Sequence, residues 1–314
     1  MNKPIRIQVE ELLAEQCQNW PLAKKNFDGL AKVITRECRF ANGTALRIQF
    51  NPERMVSSSA KTDAQSIAAR KCFLCDENRP TEQQSVPFEK NYRILINPFP
   101  IFKKHLTITG ISHTDQRIDG RIQDMLQLAE TLDEYVVFYN GPACGASAPD
   151  HFHFQAGNKG FMPVESDFEN LPLNPITQNG SFTMHSMDDG LRKAIVLSSK
   201  EVEPIAIEFE KIYHILASMQ PSLPEPMINL LAWKKEGDYV LVIFPRKAHR
   251  PAQYFMEGDE QILFSPAAVD LGGVLITPRE QDFYKMDEAL ISDLFRQIVP
   301  DAEAWASLIQ NISV

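Results

Sequence analysis

The sequence of 314 residues lacks any long apolar run, and no stretch approaches the roughly 20 apolar residues that a membrane-spanning helix needs. The N-terminus, MNKPIRIQVEELLAEQ, has no apolar segment of signal-peptide length and no small-residue cleavage site. Basic residues are in deficit, since 32 Lys and Arg stand against 41 Asp and Glu and leave a net charge of −9. These absences predict a cytoplasmic protein without membrane contact, and they argue against broad electrostatic binding to nucleic acid.

Cysteine is scarce too, with five residues in the chain, of which only Cys72 and Cys75 lie close together in the sequence. This odd and dispersed set argues against a disulfide framework. Two thiols separated by two residues can chelate zinc, but a tetrahedral site needs two further ligands. The residues alone leave a metal pair and two reduced thiols as open alternatives. A nucleic-acid-binding zinc protein is disfavoured by the charge of −9 and by the lack of a second close Cys/His pair.

What is present is an ordinary globular composition, 44% hydrophobic and 23% charged, over a length that favours two domains or one duplicated unit. Hydrophobic periodicity predicts both helices and strands. Helices are predicted over residues 5–17, 123–132 and 205–219, and strands over 45–50, 92–96, 106–109, 135–140, 151–157, 228–233 and 239–244. The polar stretch 51–66 is predicted to be a loop.

An internal similarity suggests that the fold unit is duplicated. Two segments share a strand pattern that ends at proline and reaches a histidine four or five residues after the last proline: residues 92–105, YRILINPFPIFKKH, and residues 239–249, YVLVIFPRKAH. Turn formers in residues 171–181 then favour a domain boundary beyond them, near residue 190. We therefore expect domains at residues 1–190 and 191–314, the second without a His-x-His element.

The motif with the most chemical content is HFHFQ, residues 151–155. In an extended segment alternate residues share a face, so His151, His153 and Gln155 are predicted to project to one side. A polar strand face exposed to water would explain the same pattern. However, the glycine-rich loop before it, with Gly145 and Ser147, is able to bring backbone N–H groups near an anion. This context favours a functional site.

The run GASAPDHFHFQ resembles the active-site signature of the histidine-triad-like nucleotidyltransferases, the superfamily that contains galactose-1-phosphate uridylyltransferase. HFHFQAG followed by MPVE is most similar to its GDP-hexose phosphorylases, whereas GASAP and SPAAVDLGGVLITPRE resemble its diadenosine tetraphosphate phosphorylases. The resemblance implies an α+β fold of duplicated histidine-triad-like half-barrel units, with an antiparallel sheet and flanking helices.

The resemblance also implies an activity, because in these families the middle histidine of the motif attacks the α-phosphorus of a nucleotide. That position matches His153, Gln155 matches the amide that holds the α-phosphate oxygens, and Ser147 matches a contact to the leaving phosphate. The implied enzyme transfers a nucleoside monophosphate from a GDP- or UDP-hexose to phosphate or a sugar phosphate. Imidazole suits this role, since it is a good nucleophile when neutral and a good leaving group once phosphorylated.

Further candidates for substrate binding lie in the glycine loop and after the two proline-rich connections. A phosphate-bearing ligand of an acidic protein should meet a local basic patch, although such charges are equally often solvated loop ends. Asn140 is equally a turn former. The candidates are Asn140, Gly145, Lys104, Arg246, Lys247 and His249.

By the same resemblance, the zinc pair of the uridylyltransferase matches Cys72 and Cys75, and its two remaining ligands match His113 and His151. A structural zinc at these positions would fix the strand that carries the nucleophile. The alternative is that the two thiols are reduced and buried and that His113 is a surface residue.

Three other functions remain open. A dinucleoside polyphosphate phosphorylase would use the same intermediate, and a hydrolase would as well, although Gln155 in place of a third histidine speaks against hydrolysis. A catalytically silent nucleotide-binding protein is disfavoured by the intact His153. In each case the expected partner is a nucleotide or nucleotide sugar, and a homodimer is compatible with all of them.

Overall fold

The computed structural model describes residues 3–52, 64–171 and 173–313, which form a mixed α+β structure. The α-helices are α1 (Ile5–Asn19), α2 (Pro21–Gly29), α3 (Ala64–Ala68), α4 (Ile122–Thr131), α5 (Val164–Asn170), α6 (Val202–Met219), α7 (Ala268–Leu271), α8 (Glu280–Lys285), α9 (Glu288–Ile298) and α10 (Ala302–Ile312). The strands are β1 (Ile34–Arg39), β2 (Ala45–Phe50), β3 (Val86–Phe88), β4 (Tyr92–Ile96), β5 (His105–Gly110), β6 (Tyr135–Asn140), β7 (His153–Asn158), β8 (Asn174–Asn179), β9 (Phe182–Asp188), β10 (Lys193–Ser199), β11 (Ile228–Lys235), β12 (Asp238–Pro245) and β13 (Val274–Thr277).

A ten-stranded antiparallel sheet forms the centre of the structure, in the order β3-β4-β5-β7-β6-β11-β12-β10-β9-β8. Its two halves share one plan. Each half is three strands, a helix and two strands in chain order, with α4 in the first half and α6 in the second. Read from the outer edges, the two halves have the same strand order and meet where β6 pairs with β11. This arrangement confirms the predicted α+β fold of two duplicated units.

The strands that are equivalent differ from those matched in the sequence. The similarity between residues 92–105 and 239–249 pairs β4 with β12, but the strand order makes β12 the counterpart of β7. The predicted boundary near residue 190 lies in the turn between the paired strands β9 and β10. The division into domains at residues 190 and 191 stays a prediction.

Alternation along β6 explains why the sheet has a core on each face. Tyr135, Val137 and Tyr139 pack into one apolar cluster, and Val136 and Phe138 pack into the other. Such a continuous apolar run, YVVFYN, is typical of a strand buried on both faces. Helices α1, α4, α6 and α10 cover the first face.

The second face is covered by the small sheet β1-β2-β13, in which β13 runs parallel to β2, together with α7, α8 and α9. Because Phe154 and Ala156 of β7 belong to the first core, the intervening side chains of that strand project toward the second face. His153 and Gln155 therefore lie on this side, beside a cavity.

Most predicted elements are present, with strand β2, strand β4 and strand β6 at their predicted residues and the three predicted helices shifted by a few residues. The predicted strand 151–157 begins at His153 instead, because the preceding residues turn, with the His151 N–H donating to the Ala148 carbonyl. Within the predicted loop 51–66, residues 53–63 lie outside the described residues, and α3 begins directly after them. Among the described helices, none is long and apolar enough to span a membrane.

Candidate active site and metal cluster

A cavity of about 630 Å³ opens beside the sheet and is lined by both halves of the chain. Its wall includes the start of β7, the glycine loop after β6, the connection between β4 and β5, and the segment before α7. Five of the predicted site residues line it: Asn140, Gly145, Ser147, His153, Gln155, and a sixth, His249, joins them from the second half.

The ring of His153 is buried at the start of β7, with 3% of its surface exposed. Its Nδ1 lies 2.9 Å from the carbonyl oxygen of His151, so Nδ1 carries the proton and donates. In the neutral ring this leaves the lone pair on Nε2, the nitrogen available to a ligand in the cavity. Burial lowers the pKa of His153 to about 4.

The backbone of His153 is held by a residue outside the motif, the fully buried Gln116. Strands β6 and β7 are paired only as far as Phe138 and Gln155, and beyond that point they part. The Gln116 amide fills this gap, since its Oε1 accepts from the His153 N–H at 2.8 Å and its Nε2 donates to the carbonyls of His153 at 2.9 Å and Asn140 at 3.0 Å. One side chain thus replaces the missing strand pairing at the candidate nucleophile.

Replacing Gln116 with methionine keeps the volume but removes all three hydrogen bonds. We expect the free energy of unfolding to fall by about 3 kcal/mol, because a buried backbone group without a partner costs about 1–3 kcal/mol. Urea unfolding followed by circular dichroism measures the change. The control is Gln123→Met on the exposed side of α4, where we expect less than about 0.5 kcal/mol. Equal stability of the two variants would contradict the bridging role of Gln116.

The glycine loop is tied to the second half of the chain through Asn140. The Oδ1 of Asn140 accepts from Asn229 Nδ2 at 2.9 Å and from the Ala268 N–H at 2.8 Å. At Gly145, where φ is +97°, an added Cβ would lie 2.8 Å from the Cβ of Ala267, so glycine permits this close approach. Ser147 lines the cavity and makes no hydrogen bond to the described residues.

Two of the predicted basic residues lie away from the cavity lining. Lys104 Nζ forms ion pairs of 3.0 Å with both Glu10 and Glu134, which links α1 to the start of β6. The side chain of Lys247 is exposed to solvent, and its backbone N–H donates to the Ile298 carbonyl. Lys104 therefore joins two elements of the fold, and Lys247 points to solvent. Neither side chain reaches a ligand in this cavity.

In the remaining basic cluster, residues 246–250, some side chains hold the surrounding loops and others line the cavity. Arg246 is fully buried and donates to Asn229 Oδ1 at 2.6 Å and to backbone carbonyls, so it holds the surrounding loops instead of facing the cavity. His249 and Arg250 do line the cavity. Ser265 Oγ contacts both, at 2.8 Å from Arg250 Nε and 3.3 Å from His249 Nε2. Burial and the neighbouring arginines lower the pKa of His249 to about 3.

The four predicted metal ligands, which include His151, come together in one cluster. Donor atoms of Cys72, Cys75, His113 and His151 all lie within 4.8 Å of one another. The His151 Nδ1 is 3.3 Å from the Cys72 sulfur and 3.5 Å from the Cys75 sulfur, and His113 Nδ1 is 3.2 Å from the latter. With bonds of about 2.3 Å to sulfur and about 2.0 Å to nitrogen, a tetrahedral zinc has S···N edges of about 3.5 Å. The cluster fits that geometry.

The outer contacts of the two histidines also fit metal binding. His151 Nε2 lies 2.8 Å from the Gly110 carbonyl, so it carries the proton and leaves Nδ1 free to bind a metal. Asp150, the residue before His151, has one oxygen 4.0 Å from His113 Nε2 and the other 2.7 Å from Arg70 Nη2. Asp150 therefore lies behind His113, the second histidine of the cluster.

The fold of the chain is similar to that of known proteins. A family model described as "Domain of unknown function (DUF4922)" matches residues 12–158, and no curated protein sequence matches the chain. The yeast Ap4A phosphorylase Apa2 in complex with Ap4A is a similar solved structure, with 16% identity, a TM-score of 0.66, and coverage of 95% of this chain and 98% of the other. Its complex with AMP matches at 15% identity and a TM-score of 0.64, over 95% and 96%. The chain thus shares the fold of the yeast Ap4A phosphorylase Apa2 over almost its whole length, which agrees with the fold that the resemblance of its His-x-His-x-Gln motif predicted.

Proposed function

We propose that the chain is a nucleotidyltransferase or phosphorylase that transfers a nucleoside monophosphate by way of a covalent intermediate on His153. The observation that carries the proposal is the protonation and the position of the His153 ring. Its Nδ1 donates to the His151 carbonyl, so Nε2 keeps its lone pair, in a cavity that Gln155 also lines. A buried, oriented imidazole beside amide donors is the arrangement that nucleophilic attack on phosphorus requires.

The charges around the cavity support an anionic substrate. In the described part of its wall the arginines are Arg70 and Arg250, and the carboxylate is Asp270. The oxygens of Asp270 accept from the backbone N–H groups of Ala267 and Ile276, so its charge is already stabilised. Because Arg70 is itself paired with Asp150 at 2.7 Å, the guanidinium of Arg250 is the lining group that favours phosphate oxygens, in a chain of net charge −9.

The roles of the remaining site residues follow from their positions. We assign Gln155 and Ser147 to the α-phosphate and leaving phosphate, and Asn140 and Gly145 to holding the loop against the segment before α7. His249 belongs to the acceptor side, together with its neighbour Arg250, whose guanidinium stacks 4.1 Å from the Tyr254 ring. The sequence-based assignment of Arg246, Lys247 and Lys104 to substrate binding is not carried forward, given their contacts elsewhere.

A structural zinc held by Cys72, Cys75, His113 and His151 is part of the proposal, supported by the tetrahedral spacing of the donor atoms. When bound, zinc supplies a fixed link between the Cys-x-x-Cys segment and the backbone next to His153. It plays no part in the transfer itself. The carbonyl of His151 is the acceptor that orients the nucleophilic ring, so restraint at this residue aligns the attack.

Two donor classes remain candidates, a GDP- or UDP-hexose and a dinucleoside polyphosphate. The first is supported by the sequence HFHFQAG followed by MPVE. The second is supported by the fold match to Ap4A phosphorylase over 95% of the chain. The cavity, with basic groups on two separate segments, accommodates phosphates beyond the one that His153 attacks.

A panel of nucleotide donors tests the function. GDP-, UDP- and ADP-sugars and dinucleoside polyphosphates are offered with inorganic phosphate or with a hexose 1-phosphate, and formation of nucleoside diphosphate or of a new nucleotide sugar is followed by chromatography. We expect one donor class to be preferred by at least about tenfold in kcat/KM, since unpaired buried polar groups penalise the wrong ligand. Release of nucleoside monophosphate to water instead would identify a hydrolase, and no turnover of any donor would contradict the proposal.

A further inference from the structure

The geometry points to a positioning role for the connection between β4 and β5, residues 97–104: it sets the amide of Gln155 so that the NH₂ group, not the oxygen, faces the reacting phosphate. This inference rests on the proposed function for its chemical meaning. The positioning residues are Asn97 and His105, which lie outside the His-x-His-x-Gln motif. Backbone N–H groups of the connection orient the side chains of Asn97 and His105. These two side chains in turn orient the amide of Gln155.

The first step runs through His105, which is fully buried at the start of β5. The Ile101 backbone N–H points at His105 Nδ1 at 3.2 Å, so Nδ1 holds the lone pair. In the neutral ring the proton is then on Nε2. That nitrogen lies 3.1 Å from Gln155 Oε1, so it donates to the amide oxygen.

The second step runs through Asn97 at the end of β4. The Phe99 N–H donates to Asn97 Oδ1 at 3.0 Å, which turns the NH₂ group of Asn97 the other way. That group donates to Thr107 Oγ1 at 3.1 Å and to Gln155 Oε1 at 3.4 Å. A second donor, fixed by a different peptide group, therefore points at the same oxygen.

The local sequence explains why these two peptide groups are the donors. In the run NPFPI, residues 97–101, the prolines at 98 and 100 have no N–H, and the intervening Phe99 and Ile101 do. The ring of proline also restrains the backbone, so the directions of the two N–H groups are held in place. Backbone donors cannot be reversed by rotation of a side chain.

These contacts fix which end of the Gln155 amide faces the cavity. A flipped Gln155 would place its NH₂ group against two N–H donors and its oxygen toward the cavity, and both contacts would be repulsive with an anionic ligand present. In the observed orientation the NH₂ group of Gln155 is left for phosphate oxygens beside His153. This NH₂ group donates to phosphate oxygens whose negative charge increases in the transition state. A hydrogen bond that is stronger in the transition state than in the ground state raises kcat.

A double-mutant cycle tests whether His105 acts through Gln155. With the best donor of the nucleotide panel, we expect His105→Phe and Gln155→Leu each to lower kcat by about 10- to 100-fold, with KM changed less than about threefold. In the Gln155→Leu background, His105→Phe should then cause almost no further loss. Losses that multiply would show an independent structural role for His105 and would overturn the inference.

A second variant avoids any failure of the buried His105→Phe to fold. Asn97 is half-buried, and Asn97→Asp replaces the donor facing Gln155 with an acceptor, which favours the flipped amide. We expect about tenfold lower kcat for Asn97→Asp, and no effect of this substitution when Gln155 is leucine. Full activity of Asn97→Asp would count against the relay.

A measurement without substrate separates this inference from the proposed function. Long-range ¹H–¹⁵N spectra of the unmodified protein report which nitrogen of each imidazole is protonated. We expect His105 as the Nε2–H tautomer, whatever the activity of the chain. An Nδ1–H tautomer would overturn the relay even in an active enzyme, whereas lack of turnover with the expected tautomer would overturn the proposed reaction alone.

Discussion

Replacing His153 with alanine is expected to abolish nucleotidyl transfer, with kcat falling by a factor on the order of 10⁴ to 10⁶. The imidazole Nε2 is the proposed site of the covalent bond, and the described lining of the cavity offers no second nucleophile in an equivalent position. His249, the other lining histidine, has Nε2 in contact with Ser265 Oγ at 3.3 Å. Nucleotide affinity should change by less than about tenfold, or about 1.4 kcal/mol, because the ring is a small part of the wall.

Covalent labelling gives the direct readout of this prediction. Donors labelled at the α-phosphate are mixed with protein, quenched and separated under denaturing conditions. We expect label on the unmodified chain and none on His153→Ala. The label should be lost in acid and retained in base, as expected for phosphorus bound to an imidazole nitrogen.

The matched control for His153 is His214→Ala. His214 is exposed on α6, away from the cavity, so this variant should label and turn over like the unmodified chain. A His153→Ala variant that retains full activity would defeat the assignment of the nucleophile. An unmodified chain that binds nucleotides but never becomes labelled would instead support the catalytically silent alternative.

The predicted elements succeed where one physical signal dominates. The run YVVFYN is apolar on both faces and reads as a central strand, and the amphipathic period of residues 5–17 reads as a helix. Strand β8 escapes prediction because NPITQN is a polar edge strand rich in turn formers, with an irregularity at Pro175. The prediction also omits β10, although its apolar run AIVL is a sufficient signal for a strand.

Within the site, spacing in the sequence identifies residues that act as neighbours along one strand or in one knuckle. His153 and Gln155 reach the cavity by strand alternation, and the Cys-x-x-Cys pair meets its predicted partners. Gln116 lies 37 residues before His153 in a loop, and nothing in its local pattern marks an amide that will bridge two parting strands. Only the folded arrangement of β5, β6 and β7 makes that requirement visible.

The basic cluster PRKAHR illustrates a different limit of the sequence. Composition suggests that its charges meet phosphate, but which side chains face the cavity depends on how the chain turns after β12. Arg246 turns inward and bonds to Asn229, and Arg250 reaches the lining. Four residues apart, the two arginines have the same chemistry and opposite orientation, so adjacent charges in a loop need structural assignment.

Removal of a zinc ligand is expected to have the second-largest effect, on both metal content and stability. Loss of an outer partner of a ligand already weakens metal binding by about 10- to 100-fold, and loss of the thiolate itself weakens it further. For Cys75→Ser we therefore expect bound zinc to fall from about one atom per chain to a small fraction. With about 3 kcal/mol of stability lost, Tm should fall by roughly 5 °C, because an unfolding entropy of about 2.1 cal/mol/K per residue gives about 1.5 °C per kcal/mol for 314 residues.

Plasma emission spectrometry on dialysed protein measures the zinc, and differential scanning calorimetry measures Tm. The matched control is Cys17→Ser, since Cys17 is a half-buried free thiol in α1 outside the cluster, and this variant should keep both zinc and Tm. The effect on labelling of His153 distinguishes the role of the metal. A structural zinc acts through the His151 carbonyl, so Cys75→Ser should lower the rate of labelling while leaving nucleotide affinity nearly unchanged. If the unmodified chain is purified well folded and without zinc, and Cys75→Ser has the same Tm, zinc has no place in the proposal.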